Sequence, residues 1–243
     1  MNVTLIESWG SDERIIEAAR MSTQKGFRYW GTRCVQCGSR SQEGECTNAV
    51  SDYPSHVMRP GDEGLLAYLW NNRHTSPFEM AGAVFEVHAP IFVLRQWMRH
   101  RTMSFNEMSA RYTQLPNKDY VPTVERVLAD GGSNKQASGT RKCTREDAER
   151  FIEIAIEMHT ESQKAYEWSL SAGVPRELAR TLLPVARYSA MRVSANLLNW
   201  LRFLSLRDDS HAQAEIVVCA RMVREELTKL HPRTMAIFEG AGF

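Results

Sequence analysis

The chain has almost no surplus of charge and no long apolar run. Thirty Lys and Arg against 29 Asp and Glu leave a formal net charge of +1. It therefore lacks the general positive field with which proteins coat nucleic acid, and any anion must be gripped locally. No apolar stretch approaches the roughly 20 residues that span a bilayer. Met1 to Gly10 lacks a basic start followed by an apolar stretch, so no membrane partner and a cytoplasmic location are expected. Cysteine is scarce, with five in the chain. Cys34, Cys37 and Cys46 cluster while Cys143 and Cys219 stand alone, which is not a paired extracellular framework; reduced thiols are the expectation. Internal repeats and low-complexity tracts are also missing. What remains is a globular composition, 43% hydrophobic and 24% charged over 243 residues, suited to one large domain.

Helical periodicity dominates. Ile15, Ile16, Ala18 and Ala19 give Asp12 to Met21 a helical face, with Ser11 or Asp12 as cap. From Gly26 to Gly64 the pattern dissolves into Gly, Ser, Cys, Asn and Pro, which predicts a long loop or small insertion. Leu65, Leu66, Leu69 and Trp70 form the next helix face, and Ser76 with Pro77 a turn. Ala83 to Ala89 alternates, with Phe85 and Val87 on one side and Glu86 and His88 on the other, as in a strand. Pro90 suits the start of a helix over Ile91 to His100. Asp130 to Gly139 reads as a second loop. Thr144 and Asp147 open a long helix ending near Gly173, with Phe151, Ile154, Ala155, Met158, Ala165 and Tyr166 as its apolar face. Pro175 begins a short helix to Leu183, Asn196 to Leu206 is apolar enough to be buried, and Ile216, Ala220, Val223, Leu227 and Leu230 mark a last helix stopped by Pro232. The fold class is α+β, a small, mostly antiparallel sheet packed with several long helices.

Between Arg99 and Tyr112 the chain reads RHRTMSFNEMSARY, gathering Arg99, Arg101 and Arg111 with His100, Ser104, Asn106, Glu107 and Ser109. Guanidinium forks match phosphate oxygens and stay charged, while Ser and Asn add neutral donors. Phosphate recognition is one reading; a solvated segment with Glu107 as internal partner is the other. RHR followed by seven residues and Ser109 resembles the signature of flavin-dependent thymidylate synthases. HTSPFE (His74 to Glu79), APIFVLRQW leading into the signature, ELARTLLP (Glu177 to Pro184) and LRDDSHAQ (Leu206 to Gln213) are similar to the same family, in its usual order.

The resemblance implies a single-domain subunit over residues 1–243, assembled as a homotetramer with active sites at subunit junctions. It implies a methyltransferase that converts dUMP to dTMP, with methylenetetrahydrofolate as one-carbon donor and FAD, reduced by NADPH, as hydride source. Carried over residue by residue, dUMP would meet Gln96, Arg99, Glu107, Ser109, Arg111, Arg180 and Arg207. Arg207 is the catalytic choice, a fixed cation beside the ring carbonyls. Flavin would meet His74, Ser76, Arg99, His100, Arg101, Glu107, Asn196 and His211. Ser109 as a nucleophile would need a positioned base, so the resemblance makes it a phosphate donor. No cysteine falls in the matched motifs, which leaves the redox work to flavin. Met80 and Arg202 depart from residues common in relatives.

The insertion at about 26–60 holds Cys34, Cys37 and Cys46. A C-x2-C pair is half of a zinc site, with His56 the nearest further ligand, and plain reduced thiols are the alternative. His88, His159 and His231 are read as packing or surface residues, and Trp97, Tyr166, Trp168 and Trp200 as core. Two other functions stay open. One is a related flavin-dependent methyltransferase acting on another pyrimidine nucleotide. The other is an RNA-binding module, disfavoured by the near-neutral charge and the want of aromatic residues within a basic stripe.

Overall fold

The structure, a computed structural model, describes residues 1–41, 57–129 and 143–241. The loop expected over Asp130 to Gly139, together with Cys46 and His56, lies outside them. Along the chain run β1 (Asn2–Trp9), α1 (Asp12–Ala19), β2 (Thr32–Cys34), β3 (Arg40–Ser41), β4 (Met58–Pro60) and α2 (Glu63–Asn71). Then come β5 (Gly82–Pro90), α3 (Ile91–Trp97), β6 (Ser104–Glu107), α4 (Val124–Leu128), α5 (Arg145–Ser171) and α6 (Arg176–Ala179). The chain closes with β7 (Tyr188–Asn196), α7 (Leu197–Arg207), α8 (Ala214–Leu230) and α9 (Pro232–Ala241). The α+β class holds. No helix among the described residues is long and apolar enough to cross a membrane.

Contacts divide the chain into two compact units. The first comprises Met1–Ile6, Val84–Ser194 and Leu206–Val223. Its sheet has the order β1-β5-β7-β6, with β6 antiparallel to β7 in the register Ser104↔Ser194 to Glu107↔Met191. The alternation read for β5 is observed, since Phe85 and Val87 are fully buried while Glu86 and His88 face out. β1, β6 and β7 were not foreseen. β6 has four residues, too few for a period to register, and its neighbours read as binding chemistry rather than strand.

α5 starts as expected. Thr144 Oγ1 accepts the Asp147 N–H at 3.1 Å and the Asp147 carboxylate accepts the Thr144 N–H at 3.3 Å, a reciprocal capping box. Its apolar face is a correction, because Phe151 (52%), Ile154 (43%), Met158 (63%) and Trp168 (68%) are exposed in the isolated chain. Only Ala148, Tyr166 and Ser169 of this helix are buried. Trp168 is therefore not core, whereas Trp97 and Trp200 are fully buried. Periodicity marks which side of a helix is apolar and says nothing of what covers it.

Two buried charges organise this unit. Glu215, in the first turn of α8, accepts from the Tyr120 hydroxyl at 2.6 Å and from Arg126 Nε at 2.7 Å. Burial alone would raise its carboxyl, but the hydrogen bonds from Arg126 and Tyr120 outweigh burial and take it down to about 2. A depressed acid stabilises the fold above its unfolded value near 4.5 and loses that contribution as pH falls toward 2. Glu215→Gln should therefore flatten the acid limb of a melting-temperature profile between about pH 5 and 2, with a loss at neutral pH of no more than about 3 kcal/mol. An acid limb identical to that of the parent would count against this pairing. Arg187, fully buried, forms the second, an ion pair from Nε to Asp119 Oδ1 at 3.0 Å. Its Nη1 also donates to the Pro116 carbonyl at 2.9 Å and to Asn117 Oδ1 at 3.2 Å.

The second unit comprises Glu7–Ala83, Ala195–Ser205 and Arg224–Phe243. Ser11 caps α1, its hydroxyl accepting the Arg14 N–H at 3.4 Å. Leu66, Leu69 and Trp70 are the buried face of α2, and Trp70 meets Phe78 and Phe238 edge-on at 5.4 and 6.0 Å. Gly26 to Gly64 is not simply a loop. It contains a three-stranded sheet in the order β3-β2-β4, both pairings antiparallel, made of strands too short to show alternation. Pro232 does end α8, and it also begins α9, which was not foreseen. A proline tolerated at a first helical position reads equally as a stop. The junction is fixed by Asp12, whose buried carboxylate accepts the N–H groups of Arg233 at 2.8 Å and Thr234 at 3.2 Å. Gly82 sits where a Cβ would lie 2.2 Å from the Trp9 ring and 2.5 Å from the Ala195 carbonyl, so only glycine fits.

Candidate functional site

α3 ends at Trp97, three residues before the expected limit. The backbone then tightens, with the Arg99 N–H donating to Gln96 O at 3.4 Å and the His100 N–H to Trp97 O at 2.9 Å. Arg99, His100 and Arg101 thus lie on a turn between α3 and β6. A turn can aim adjacent side chains at one ligand, whereas a helix would spread consecutive residues around its axis.

Arg207, the last residue of α7, comes back to this turn from a remote stretch of chain. Its Nε donates to His100 Nε2 at 3.0 Å and its Nη2 to the Gln96 carbonyl at 3.3 Å. The Gln96 amide nitrogen in turn donates to Gln213 Oε1. Burial, and then the positive charge of Arg207, push the His100 imidazole down to about 4. It is neutral at ordinary pH, with its Nε2 lone pair accepting and its proton on Nδ1. Burial, followed by the charge of Arg99, lowers the Arg207 guanidinium from its ordinary value. Two like charges are thus held close together, and an anion beside them would relieve the repulsion.

Arg111 is the one arginine of the signature run with a carboxylate at ion-pair distance among the described residues, an exposed contact to Glu177 at 3.9 Å. Ser109 opens a turn in which its Oγ accepts the Arg111 N–H at 3.4 Å and its carbonyl the Tyr112 N–H at 3.0 Å. Among the described residues neither a histidine nor a carboxylate hydrogen-bonds to its hydroxyl, so nothing there activates it as a nucleophile.

Arg180 lines a cavity of about 260 Å³ with Glu107. Arg95 and Ser189 line the same cavity and were not singled out from the sequence. Ser189 is 2% exposed and its hydroxyl has no hydrogen-bond partner among the described residues. It sits in β7, where Met191, Val193 and Ala195 alternate with Arg192, Ser194 and Asn196 and Ser189 falls on the same buried face, a signal that the sequence does carry. The structure therefore brings Gln96, Arg99, His100 and Arg207 together, and Glu107 with Arg180, within the first unit.

His211 is exposed, its Nδ1 2.8 Å from Asp209 Oδ1. His74, Ser76 and Asn196 belong to the second unit. His74 is exposed and meets the Tyr68 ring edge-on at 5.7 Å, and Ser76 opens a short 3-10 turn. Asn196 Oδ1 accepts the Asn199 N–H at 3.0 Å, capping α7 and leaving its amide nitrogen to donate elsewhere. Met80 is exposed, and Arg202 donates to Asn199 Oδ1 at 3.2 Å. Of the zinc candidates, Cys34 is buried with its thiol toward Gln36 Oε1 at 3.4 Å. Cys37 is exposed, 3.1 Å from Ser39 Oγ. Among the described residues no three His, Cys, Asp or Glu side chains gather as metal ligands.

Residues 4–233 match the family described as thymidylate synthase complementing protein. The chain is 36% identical over 230 residues to a flavin-dependent thymidylate synthase of Wolbachia pipientis, covering 95% of this chain and 70% of that one. It is 32% identical over 249 residues to one of Rickettsia bellii, covering 98% and 75%. Among solved structures it is similar to the UMP/dUMP methylase PolB from Streptomyces cacaoi bound with 5-Br UMP, with a TM-score of 0.76 and 33% identity over 99% of this chain and 94% of that one.

Proposed function

The chain belongs to the flavin-dependent thymidylate synthase family, and from that membership we propose how its own residues divide the methylation of dUMP. It is a flavin-dependent methyltransferase that converts dUMP to dTMP. The one-carbon donor in this proposal is methylenetetrahydrofolate and the reductant NADPH. The subunit is a single domain that works in the cytoplasm as a homotetramer whose sites form at subunit junctions. The exposed apolar side of α5 supports assembly, because so large an uncovered strip is uncommon on an isolated soluble chain.

The observation that carries the reading is the pair of neighbouring cations Arg99 and Arg207, held against a neutral imidazole. Arg207, fixed by His100 and the Gln96 carbonyl, stabilises negative charge on the uracil ring as carbon five becomes nucleophilic. Arg99, Arg111 and Arg180 take the phosphate, with Ser109 as a neutral donor beside Arg111 and with Gln96 and Glu107 orienting the nucleotide. The donor set also fits FAD. Arg99 and Arg101 are exposed on one turn, with the neutral His100 imidazole between them in sequence. His74, Ser76, Glu107, Asn196 and His211 complete the flavin contacts. FAD, when bound, supplies the hydride that completes the methyl group.

Tritium release from dUMP labelled at carbon five, in the presence of FAD, methylenetetrahydrofolate and NADPH, tests the activity, and no release above a heat-killed control would refute it. UMP belongs in the same assay, because a relative of this fold is a UMP/dUMP methylase; faster release from UMP would favour a ribonucleotide acceptor. Ser109→Ala is expected to raise the dUMP Kd about tenfold, as loss of one hydrogen bond to a charged group does, with kcat little changed. Total loss of turnover at unaltered dUMP affinity would point to a covalent role instead.

A further inference from the structure

The second unit contains a cavity of about 460 Å³ whose lining shares no residue with the proposed dUMP or flavin contacts. Four arginines line it, Arg28, Arg33, Arg40 and Arg233, against a single acidic residue, Glu63. Among the described residues Glu63 is the one carboxylate at ion-pair distance from any of the four, 3.9 Å from Arg233 Nε, and it is already engaged by the Gly31 N–H at 2.6 Å. The lining is built rather than loosely draped. Gly61 lets the segment from Phe27 to Gly31 press close, since a Cβ there would lie 2.4 Å from the Tyr29 carbonyl. Asp62, 1% exposed, accepts the Arg28 N–H at 2.8 Å and pairs with Arg20.

Aromatic faces hold two of the guanidiniums in place. Arg33 lies over the Tyr29 ring at 4.8 Å and Arg233 over the Trp30 ring at 4.5 Å, with Phe27 packed on Trp30 at 4.9 Å. Stacking fixes the plane of a guanidinium while leaving its in-plane N–H groups to donate. Arg33 Nε is buried and has no hydrogen-bond partner among the described residues, a donor left over in a region of concentrated positive charge. In a chain of net charge +1 such a concentration is not a by-product of basic composition.

We propose that this cavity binds a compact oxyanion ligand carrying two or more negative charges, a pyrophosphate-bearing or polycarboxylate molecule. Calorimetric titration of the full chain, saturated with dUMP and FAD so that the other anion sites are filled, tests this with inorganic pyrophosphate and, separately, citrate. The expected result is saturable binding of one probe per subunit, weakened at least about tenfold in Arg33→Gln/Arg40→Gln, as loss of charge-assisted hydrogen bonds requires, with dUMP affinity unchanged. The tighter probe identifies the source, phosphorylated or polycarboxylate. Absence of saturable heat from both probes overturns the proposal, and so does equal affinity in the double variant. Should the double variant melt early, the exposed Arg40→Gln alone provides the comparison, with a weakening of about threefold or more expected and none sinking the idea.

Discussion

Alanine at Arg207 is expected to lower kcat by about 100- to 1000-fold, the usual effect of deleting a fixed donor aimed at developing negative charge, while the protein stays folded and yellow. The reasoning rests on placement. Arg207 is half-buried, bonded to His100 and the Gln96 carbonyl, and crowded by Arg99, so its charge is focused rather than dissipated in water. A second readout comes from His100, whose imidazole is pushed down to about 4 by burial and then by Arg207. Removing that cation lets the ring titrate at higher pH, which NMR of the histidine resonances would detect. Turnover equal to the parent's would refute the catalytic role, and an unmoved His100 titration would refute the coupling. Arg207→Lys should rescue little, because an ammonium cannot engage His100 and Gln96 with one planar fork.

The largest loss of stability is expected from Arg187→Met, about 3 to 5 kcal/mol, since it strands the Asp119 carboxylate without its buried partner. The double change Arg187→Met with Asp119→Leu should recover part of that loss, because a well-packed apolar pair often matches a buried ion pair. Chemical denaturation of the three proteins supplies the comparison, and a double variant less stable than either single one would sink the account. The pair matters beyond stability. Arg187 binds the backbone at Pro116 and the side chain at Asn117, and its own carbonyl accepts the Ile91 N–H at 2.9 Å, so it ties the start of α3 to the segment leaving Tyr112. Loosening it should also raise the dUMP KM.

What could be read from sequence, and what could not, follows from the range of each force. Local signals were reliable. The Ser11 cap, the Thr144 and Asp147 capping box and the alternation of Phe85 and Val87 are each set within a few residues, and all three are observed. Non-local pairing was hidden. β6 exists because β7 lies beside it, and Ser104–Glu107 is too short to reveal that partnership, although Met191, Val193 and Ala195 alternating with Arg192, Ser194 and Asn196 do mark β7 as a strand. The site divides the same way. Residue chemistry singled out Arg99 and His100, and the family resemblance added Arg207, but their mutual contact depends on Arg207 returning to the α3 turn, which no spacing encodes. Ser189 and Arg95 went unnoticed for the same reason, having become cavity lining only through tertiary folding. The three short strands inside the stretch that reads as a long loop or small insertion, and α9 behind a proline that reads as a stop, show how weak composition is where elements are brief.

Trp168 gives this protein an optical gauge. Trp70, Trp97 and Trp200 are shielded already, and with Trp9 (38% exposed) and the half-buried Trp30 replaced by Phe the remaining water-exposed emitter is Trp168, 68% exposed on the outer side of α5. Any neighbour that settles on that strip must displace water from its indole and draw the spectrum toward the blue. A dilution series followed by fluorescence would thus report the moment that side becomes dry.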